Sequence, residues 1–480
     1  MSVTDGEEQL RLSDVGKLAR GVRRRVVGAA RADDRPTFPK LLAAHLEVPL
    51  DDLEVVEESW PPYELVNVQT GLDAWLGSGD RTHRLVGMAN HQHRQFGLGD
   101  LLQKDPYGHG PVPGNVSWSS LACGPDGEVK PAVRAGVYFV VDGDARLAVL
   151  VLAADPDSGR GQLQLHVVAD RPGVAAAAAA EMRRLALVHN VFRGQVISFG
   201  HEMFGERGAA LRFHRRPGMT GTDVILPPET LAAIRRQVVG VAEHRERLLA
   251  ARQHLKRGLL LYGPPGVGKT HSVRYLVSQL VDVTVVELTG DSLQLIGAAC
   301  SVARALQPAM IVVEDVDLIA EDRGMYPGQH PLLFQLLNEM DGLAEDADVV
   351  FLLTTNRADL LEPALAARPG RVDQAVALDL PDAAARRQLF ELYRGDLDVD
   401  VSRLDEVVDR TDGVTASFLK ELLRRAALVS ATSTPDLELK VSADHLDAAL
   451  DELLDTRNAM TRVLLGATSP RSASPGRARR

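Results

Sequence analysis

Gly263-Pro264-Pro265-Gly266-Val267-Gly268-Lys269-Thr270 matches the pattern G-x-x-x-x-G-K-[ST], which constrains a chain to a strand before the run and a helix after it. Glycines let successive backbone N–H groups curl around an anion. Lys269 supplies a point charge to the outer phosphates of a nucleotide, and Thr270 offers a hydroxyl to Mg²⁺. The flanks agree: Leu259 to Tyr262 is a short apolar run of the buried-strand kind, and His271 to Leu280 carries helix-compatible residues. The eight loop residues are therefore expected to hold a nucleoside triphosphate, with Mg²⁺ beside Thr270.

A chain of 480 residues, 45% hydrophobic and 25% charged, has the length for several domains and an ordinary globular composition. Its longest apolar runs, such as Leu147 to Ala154, are strand-length, far below the ~18 residues a membrane span needs. The first residues are acidic with no apolar stretch, so no secretory signal is expected. Cys123 and Cys300 are too far apart in sequence for a zinc pattern or a disulfide framework, and a cytoplasmic location is expected. A net charge of −11 argues against a nucleic-acid partner. The basic clusters at Arg20 to Arg25 and Arg471 to Arg480 read as solvated segments. His83, His91 and His93 lie in a polar stretch without supporting cysteines or carboxylates, and His201-Glu202-Met203-Phe204-Gly205 lacks the second histidine of H-E-x-x-H. No protein metal site besides that for Mg²⁺ is expected.

Residues 1–217 read as an α+β domain. Val137 to Val141 and Leu147 to Leu152 flank Asp142-Gly143-Asp144, a hairpin signal, and Leu163, Leu165 and Val167 alternate with polar neighbours as a third strand. Val174 to His189, with its alanine run, reads as a helix. Trp60-Pro61-Pro62-Tyr63 is either a core corner or a binding surface. Arg215 to Gly221 looks like a connection, after which strand-like and helix-like segments alternate over 218–381, as in a parallel sheet with crossover helices. Residues 382–465 are helical in pattern, over Ala383 to Tyr393, Ser417 to Ser430 and Ala443 to Leu454. Residues 466–480 form a basic tail expected to be disordered.

Beyond the phosphate loop, Met310 to Val313 is an apolar strand ending in Glu314-Asp315. One carboxylate there can hold Mg²⁺, partly through water, while its neighbour polarises an attacking water. Val349 to Thr355 is a second buried-type strand, and it closes on Asn356, which can orient that water. Arg368-Pro369-Gly370-Arg371 presents two guanidinium groups suited to transition-state phosphate charge.

Together with Leu336-Leu337-Asn338-Glu339-Met340-Asp341-Gly342 and Ala367 to Asp373, these motifs resemble, in order and spacing, the AAA family of ATPases over roughly residues 221 to 465. The resemblance implies a P-loop NTPase α/β subdomain over 218–381, a helical lid over 382–465 and a homo-oligomeric, usually hexameric ring. It also implies that Asn356 is the sensor residue and that Arg368 and Arg371 act as fingers in trans; the 1–217 domain, outside the resemblance, is expected to recognise a client or partner.

Departures from the family pattern bear on function. The acidic pair is Glu314-Asp315, where the family usually has Asp-Glu, so Asp315 is one methylene shorter than the usual catalytic glutamate. Slow but real hydrolysis is expected. Where threading relatives carry an aromatic pore residue, this chain has Leu295-Ile296-Gly297, with Tyr326 in the Arg323 to His330 loop as a second pore candidate. Pro363 to Arg368 is one residue longer than usual, and Gly413-Val414-Thr415-Ala416-Ser417 departs from the lid motif. Two functions compete: a ring-shaped protein remodeller or assembly factor, and a nucleotide-gated scaffold that threads nothing.

Overall fold

The computed structural model describes residues 36–91, 95–103, 110–201, 209–318, 331–344, 346–361, 371–433 and 439–455. They divide into two compact units: the first from residues up to Leu121 and Lys130–Asn190, the second from Ala122–Val129 and from Val191 onward.

The first unit is built on an antiparallel sheet in the order β1-β7-β6-β5-β2-β3, with β4 paired to β5. Its strands are β1 (Val55–Trp60), β2 (Thr82–Ala89), β3 (Val112–Gly114), β4 (Ser117–Ala122), β5 (Val129–Asp142), β6 (Ala145–Leu152) and β7 (Leu163–Ala169). Asp142 faces Ala145 across the expected hairpin, whose two-residue turn places Gly143 at φ 61°. Period-2 alternation sends the central strands' side chains to opposite faces, and both faces are covered. Tyr138, Val140, Leu147, Val149 and Val151 pack with helices α2 (Leu65–Leu76) and α4 (Val174–Val188). Val137, Phe139, Ala148, Leu150 and Leu152 pack with α1 (Phe38–Leu46) and α3 (Leu98–Leu102).

The alanine run has a packing reason. Ala175, Ala178 and Ala179 are buried on one face of α4, and a Cβ built on Gly71 of α2 would come within 2.5 Å of the Ala186 backbone nitrogen. Small residues on both helices permit that approach. Trp60 is buried, with the Arg183 guanidinium 4.4 Å from its ring centroid, so this tryptophan is a core corner.

The second unit has a seven-stranded sheet in the order β14-β10-β13-β12-β11-β8-β9. Its members are β8 (Val196–His201), β9 (Ala209–His214), β10 (Arg257–Tyr262), β11 (Thr284–Leu288), β12 (Ala309–Val313), β13 (Val349–Thr355) and β14 (Gln374–Ala377). All neighbours are parallel except the β8–β9 hairpin. Near-continuous burial of β10, β12 and β13 explains why these strands read as unbroken apolar runs. The crossover helices include α5 (Pro228–Arg235), α6 (Lys269–Gln279), α7 (Ile296–Ala305) and α8 (Pro331–Asp341).

The sequence places the junction between domains at 217, whereas the second unit begins at Val191. The cause is the β8–β9 hairpin, whose Val196, Ile197 and Ser198 pair with Val285, Val286 and Glu287 of β11 and so extend the parallel sheet.

Four helices follow: α9 (Ala383–Arg394), α10 (Leu404–Arg410), α11 (Ala416–Ser433) and α12 (Ala443–Leu454). They share a core of Phe390, Val407, Phe418, Leu422, Leu446 and Leu450, tied by a two-residue parallel pairing of Val399 with Val441. Asp382 and Ser442 cap α9 and α12 with side-chain oxygens that accept backbone N–H bonds from Ala385 and His445.

Candidate active site

The phosphate loop leaves the C-terminal end of β10 and runs into the first turn of α6. Gly263, Gly266 and Gly268 take φ of 151°, 81° and 105°, conformations that side-chain-bearing residues rarely adopt. At Gly263 a Cβ would also lie 2.2 Å from the Leu378 carbonyl oxygen, so only glycine fits. The Lys269 ammonium donates to the carbonyls of Gly263 (2.8 Å) and Pro264 (2.9 Å) and to Asn356 Oδ1 (2.7 Å). Burial lowers its pKa, against which the charges of Asp315 and Asp317 act.

Asn356 follows β13 at the adjacent strand end, and its Nδ2 donates to Asp315 Oδ1 at 3.2 Å. One amide thus links the lysine to the acid that closes β12. Asp315 has φ 51°, in the left-handed region, and donates its backbone N–H to Thr354 Oγ1 at 3.1 Å. Aspartate tolerates that conformation better than most residues. Glu314 lies next to Thr270: burial raises its carboxyl pKa, and a hydrogen bond with the Thr270 side chain works the other way. Glu314 and Thr270 therefore offer adjacent hard oxygen donors, the chemistry Mg²⁺ requires. The structure brings the loop, Glu314, Asp315 and Asn356 together at the C-terminal ends of β10, β12 and β13.

Beside the loop lies a cavity of about 390 Å³, walled by Ile225 and Leu226 ahead of α5, Val267 and Gly268 of the loop, Leu378 after β14, and Leu389 and Tyr393 of α9. A slot of mixed apolar and polar lining adjoining the phosphate loop has the size for a nucleobase. The start of α11 reaches the loop as well: Ser417 donates its backbone N–H to the Gly266 carbonyl at 3.2 Å and its hydroxyl to the same oxygen at 3.4 Å. The segment that departs from the family lid motif still docks on the phosphate loop, chiefly through the Ser417 backbone N–H.

Arg371 is placed elsewhere. Its backbone lies against Gly258, near the start of β10, where a Cβ would come within 2.2 Å of the Arg371 carbonyl oxygen. The loop leaves the other end of that six-residue strand, about 17 Å away at the usual rise. The Arg371 side chain, 6% exposed, donates through Nε to Asp341 Oδ1 at 2.7 Å and through Nη2 to Asp341 Oδ2. It cannot serve the loop of its own chain, and its guanidinium is engaged rather than presented. Arg368 lies outside the described residues, as do the Pro363 to Arg368 spacing, Tyr326 with its loop, Glu202 to Gly205, His93, the Arg20 to Arg25 cluster and the basic tail.

The expected pore position is corrected. Ile296 is fully buried at the start of α7, and Leu295 is half-buried; no apolar side chain of this pair projects freely. The family spacing located the segment, but the local fold turns its isoleucine into the core. Asp317 was missed in sequence: it is 8% exposed and accepts from Thr355 Oγ1 at 2.7 Å and from the Asn356 backbone N–H at 3.2 Å. An acid two residues past an acidic pair reads as one more solvated carboxylate until its partners across the sheet are known. No group of three or more metal-ligating side chains occurs among the described residues, and no helix there is long and apolar enough to cross a membrane.

Comparison with known proteins bears on this geometry. Residues 259–380 match the family described as ATPase family associated with various cellular activities (AAA). Among similar curated proteins is the ATP-dependent zinc metalloprotease FtsH of Ureaplasma parvum, 31% identical over 243 residues, or 45% of this chain and 33% of the relative. FtsH 3 of Symbiobacterium thermophilum is 31% identical over 267 residues, covering 52% of this chain and 42% of that protein. FtsH 2 of Sphaerobacter thermophilus is 36% identical over 230 residues, covering 45% and 34%. The chain thus spans well under half the length of these relatives. The stretch that carries the phosphate loop, the acidic strand end and the strand-terminal amide, residues 259–380, is thus an AAA-family ATPase domain within this chain.

Proposed function

We propose that this chain binds and hydrolyses ATP with Mg²⁺ and works as a ring-forming protein remodeller or assembly factor. The observation that carries the reading is the continuous link Lys269–Asn356–Asp315 at the strand ends. ATP is the substrate. Lys269 and the loop N–H groups bind its phosphates, Asn356 orients the attacking water, and Asp315 accepts the water's proton. Thr270 and Glu314 would hold Mg²⁺, partly through water, and the ion would supply charge neutralisation at the phosphates. Asp315, whose backbone is in the left-handed region, accepts from Asn356 Nδ2 at 3.2 Å, which supports its role in spite of the shorter side chain.

Arg368 and Arg371 complete the site from a neighbouring subunit, which for Arg371 requires exchanging Asp341 for phosphate. The 1–217 region recruits a protein client. The chain acts in the cytoplasm.

The test is Asp315→Asn in the full chain. ATP binding retained with turnover lost supports the reading; unchanged turnover removes Asp315 from it. Wild-type specific activity that does not change with concentration through the ring-assembly range contradicts the shared site.

A second reading, a nucleotide-gated scaffold, is favoured by the burial of Ile296, which removes an apolar grip from the expected pore. Client-stimulated ATPase activity separates the two: a remodeller responds, and a scaffold does not.

A further inference from the structure

Asp317 stands behind the site without a role in the proposed chemistry. The residue is 8% exposed, and its Oδ1 takes two hydrogen bonds, from the Thr355 hydroxyl at 2.7 Å and from the Asn356 backbone N–H at 3.2 Å. Thr355 is fully buried, and its Oγ1 in turn accepts from the Arg357 N–H at 2.9 Å. A buried carboxylate needs such donors, and this one draws them from the residue that carries the amide and the residue before it.

The neighbouring contacts make the arrangement a seam. Asp315 N–H bonds Thr354 Oγ1 at 3.1 Å, Val316 N–H bonds the Thr354 carbonyl at 2.8 Å, and Asp317 takes Thr355 and Asn356. Three consecutive residues after β12 are therefore fastened to three consecutive residues at the end of β13. The strand end is where Asn356 must present its amide with Oδ1 toward Lys269 and Nδ2 toward Asp315. Both bonds tolerate only a few tenths of an ångström. Asp317 also contributes negative charge near Lys269 without bonding it.

We propose that Asp317 is a positioning residue: through Thr355 and the Asn356 backbone it fixes the amide that links the phosphate-binding lysine to the water-polarising Asp315. The proposal rests on the reading that this site hydrolyses ATP, and it adds a specific geometric requirement to it. Removing the clamp leaves the loop, and hence ground-state nucleotide binding, largely intact, while the alignment needed in the transition state is lost.

The experiment uses the full chain with Asp317→Ala, Asp317→Asn and Thr355→Val. Steady-state turnover, nucleotide affinity and hydrogen exchange of the peptide Val350–Leu361 are measured for each. Asp317→Ala is expected to lower kcat by about tenfold or more with KM changed by less than about threefold, and to quicken exchange at the Asn356 amide by at least about tenfold. Asp317→Asn, whose side-chain oxygen can still accept both bonds, should stay within about threefold of wild type, and Thr355→Val should fall between. A kcat for Asp317→Ala within threefold of wild type overturns the proposal. So does a loss of turnover that tracks nucleotide affinity or folded fraction, with Asp317→Asn no better than alanine. If wild type shows no turnover, the hydrolysis reading fails separately. The exchange measurement then still decides whether Asp317 holds Asn356, and unchanged exchange overturns the clamp.

Discussion

Arg371 and Asp341 offer a pair whose energetics can be worked through in advance. The guanidinium is 6% exposed and the carboxylate 50%, with two bonds between them. Each charge-assisted bond is worth about 1.5–3 kcal/mol net, and the half-exposed acid places the pair at the lower end through solvent screening. The two truncations are not equivalent. Arg371→Ala releases Asp341 to water and loses mainly packing and the bonds, a cost of about 1–3 kcal/mol. Asp341→Ala leaves a buried cation without its partner, and Arg371 Nη1 already lacks one, so the expected cost is larger, about 2–4 kcal/mol. The double variant should fall short of the sum by about 1 kcal/mol or more. The tryptophans, at 60, 75 and 118, report on the first unit, so indole fluorescence is the wrong probe. Hydrogen exchange of the β10 and β13 peptides, followed as a function of urea, reads the second unit. Additive effects, or an Asp341→Ala cost below about 0.5 kcal/mol, would show that Arg371 is uncoupled and free to act elsewhere.

Three further outcomes follow from contacts already described. Gly263→Ala places a Cβ 2.2 Å from the Leu378 carbonyl at φ 151°, and should destabilise the second unit and abolish nucleotide binding measured with a fluorescent ATP analogue. Ile296→Ala should cost about 2–5 kcal/mol in urea denaturation, as a core truncation does; a cost near zero with altered client handling would restore its pore role. Cys300 is fully buried, and burial pushes its thiol up to about 12, while Cys123 is partly exposed. A maleimide titration should therefore label a single thiol in the native protein and both in urea. Rapid labelling of both thiols under native conditions would contradict the burial of Cys300.

Much of the second unit was legible because its signals are local. The phosphate loop needs glycine at fixed positions for backbone reasons, and β10, β12 and β13 are buried on both faces and read as apolar runs. The helix Ala443–Leu454 lies where its apolar periodicity put it. What escaped depends on contacts across sequence. Residues 196–201 and 209–214 were not read as strands in the sequence, and it is the pairing of β8 with β11 that assigns them to the second sheet. Asp317 acquires meaning only from Thr355 and Asn356, and Arg371 only from Asp341. Ile296 was misplaced because family spacing fixes a position along the chain and not the direction of a side chain.

The β8–β9 hairpin also protects an edge. β11 has β12 on one side and β8 on the other, and β9 closes the end of the sheet. A fragment beginning at residue 218, where composition suggests a domain should start, would strip both strands away. It would leave Val285 to Glu287 as an open parallel edge of valine-rich backbone, ready to pair with another molecule. A fragment beginning at Val191 keeps the edge covered. The two should differ in solubility before they differ in anything catalytic, and aggregation of the shorter fragment would reflect a lost border strand rather than an intrinsically unstable nucleotide fold.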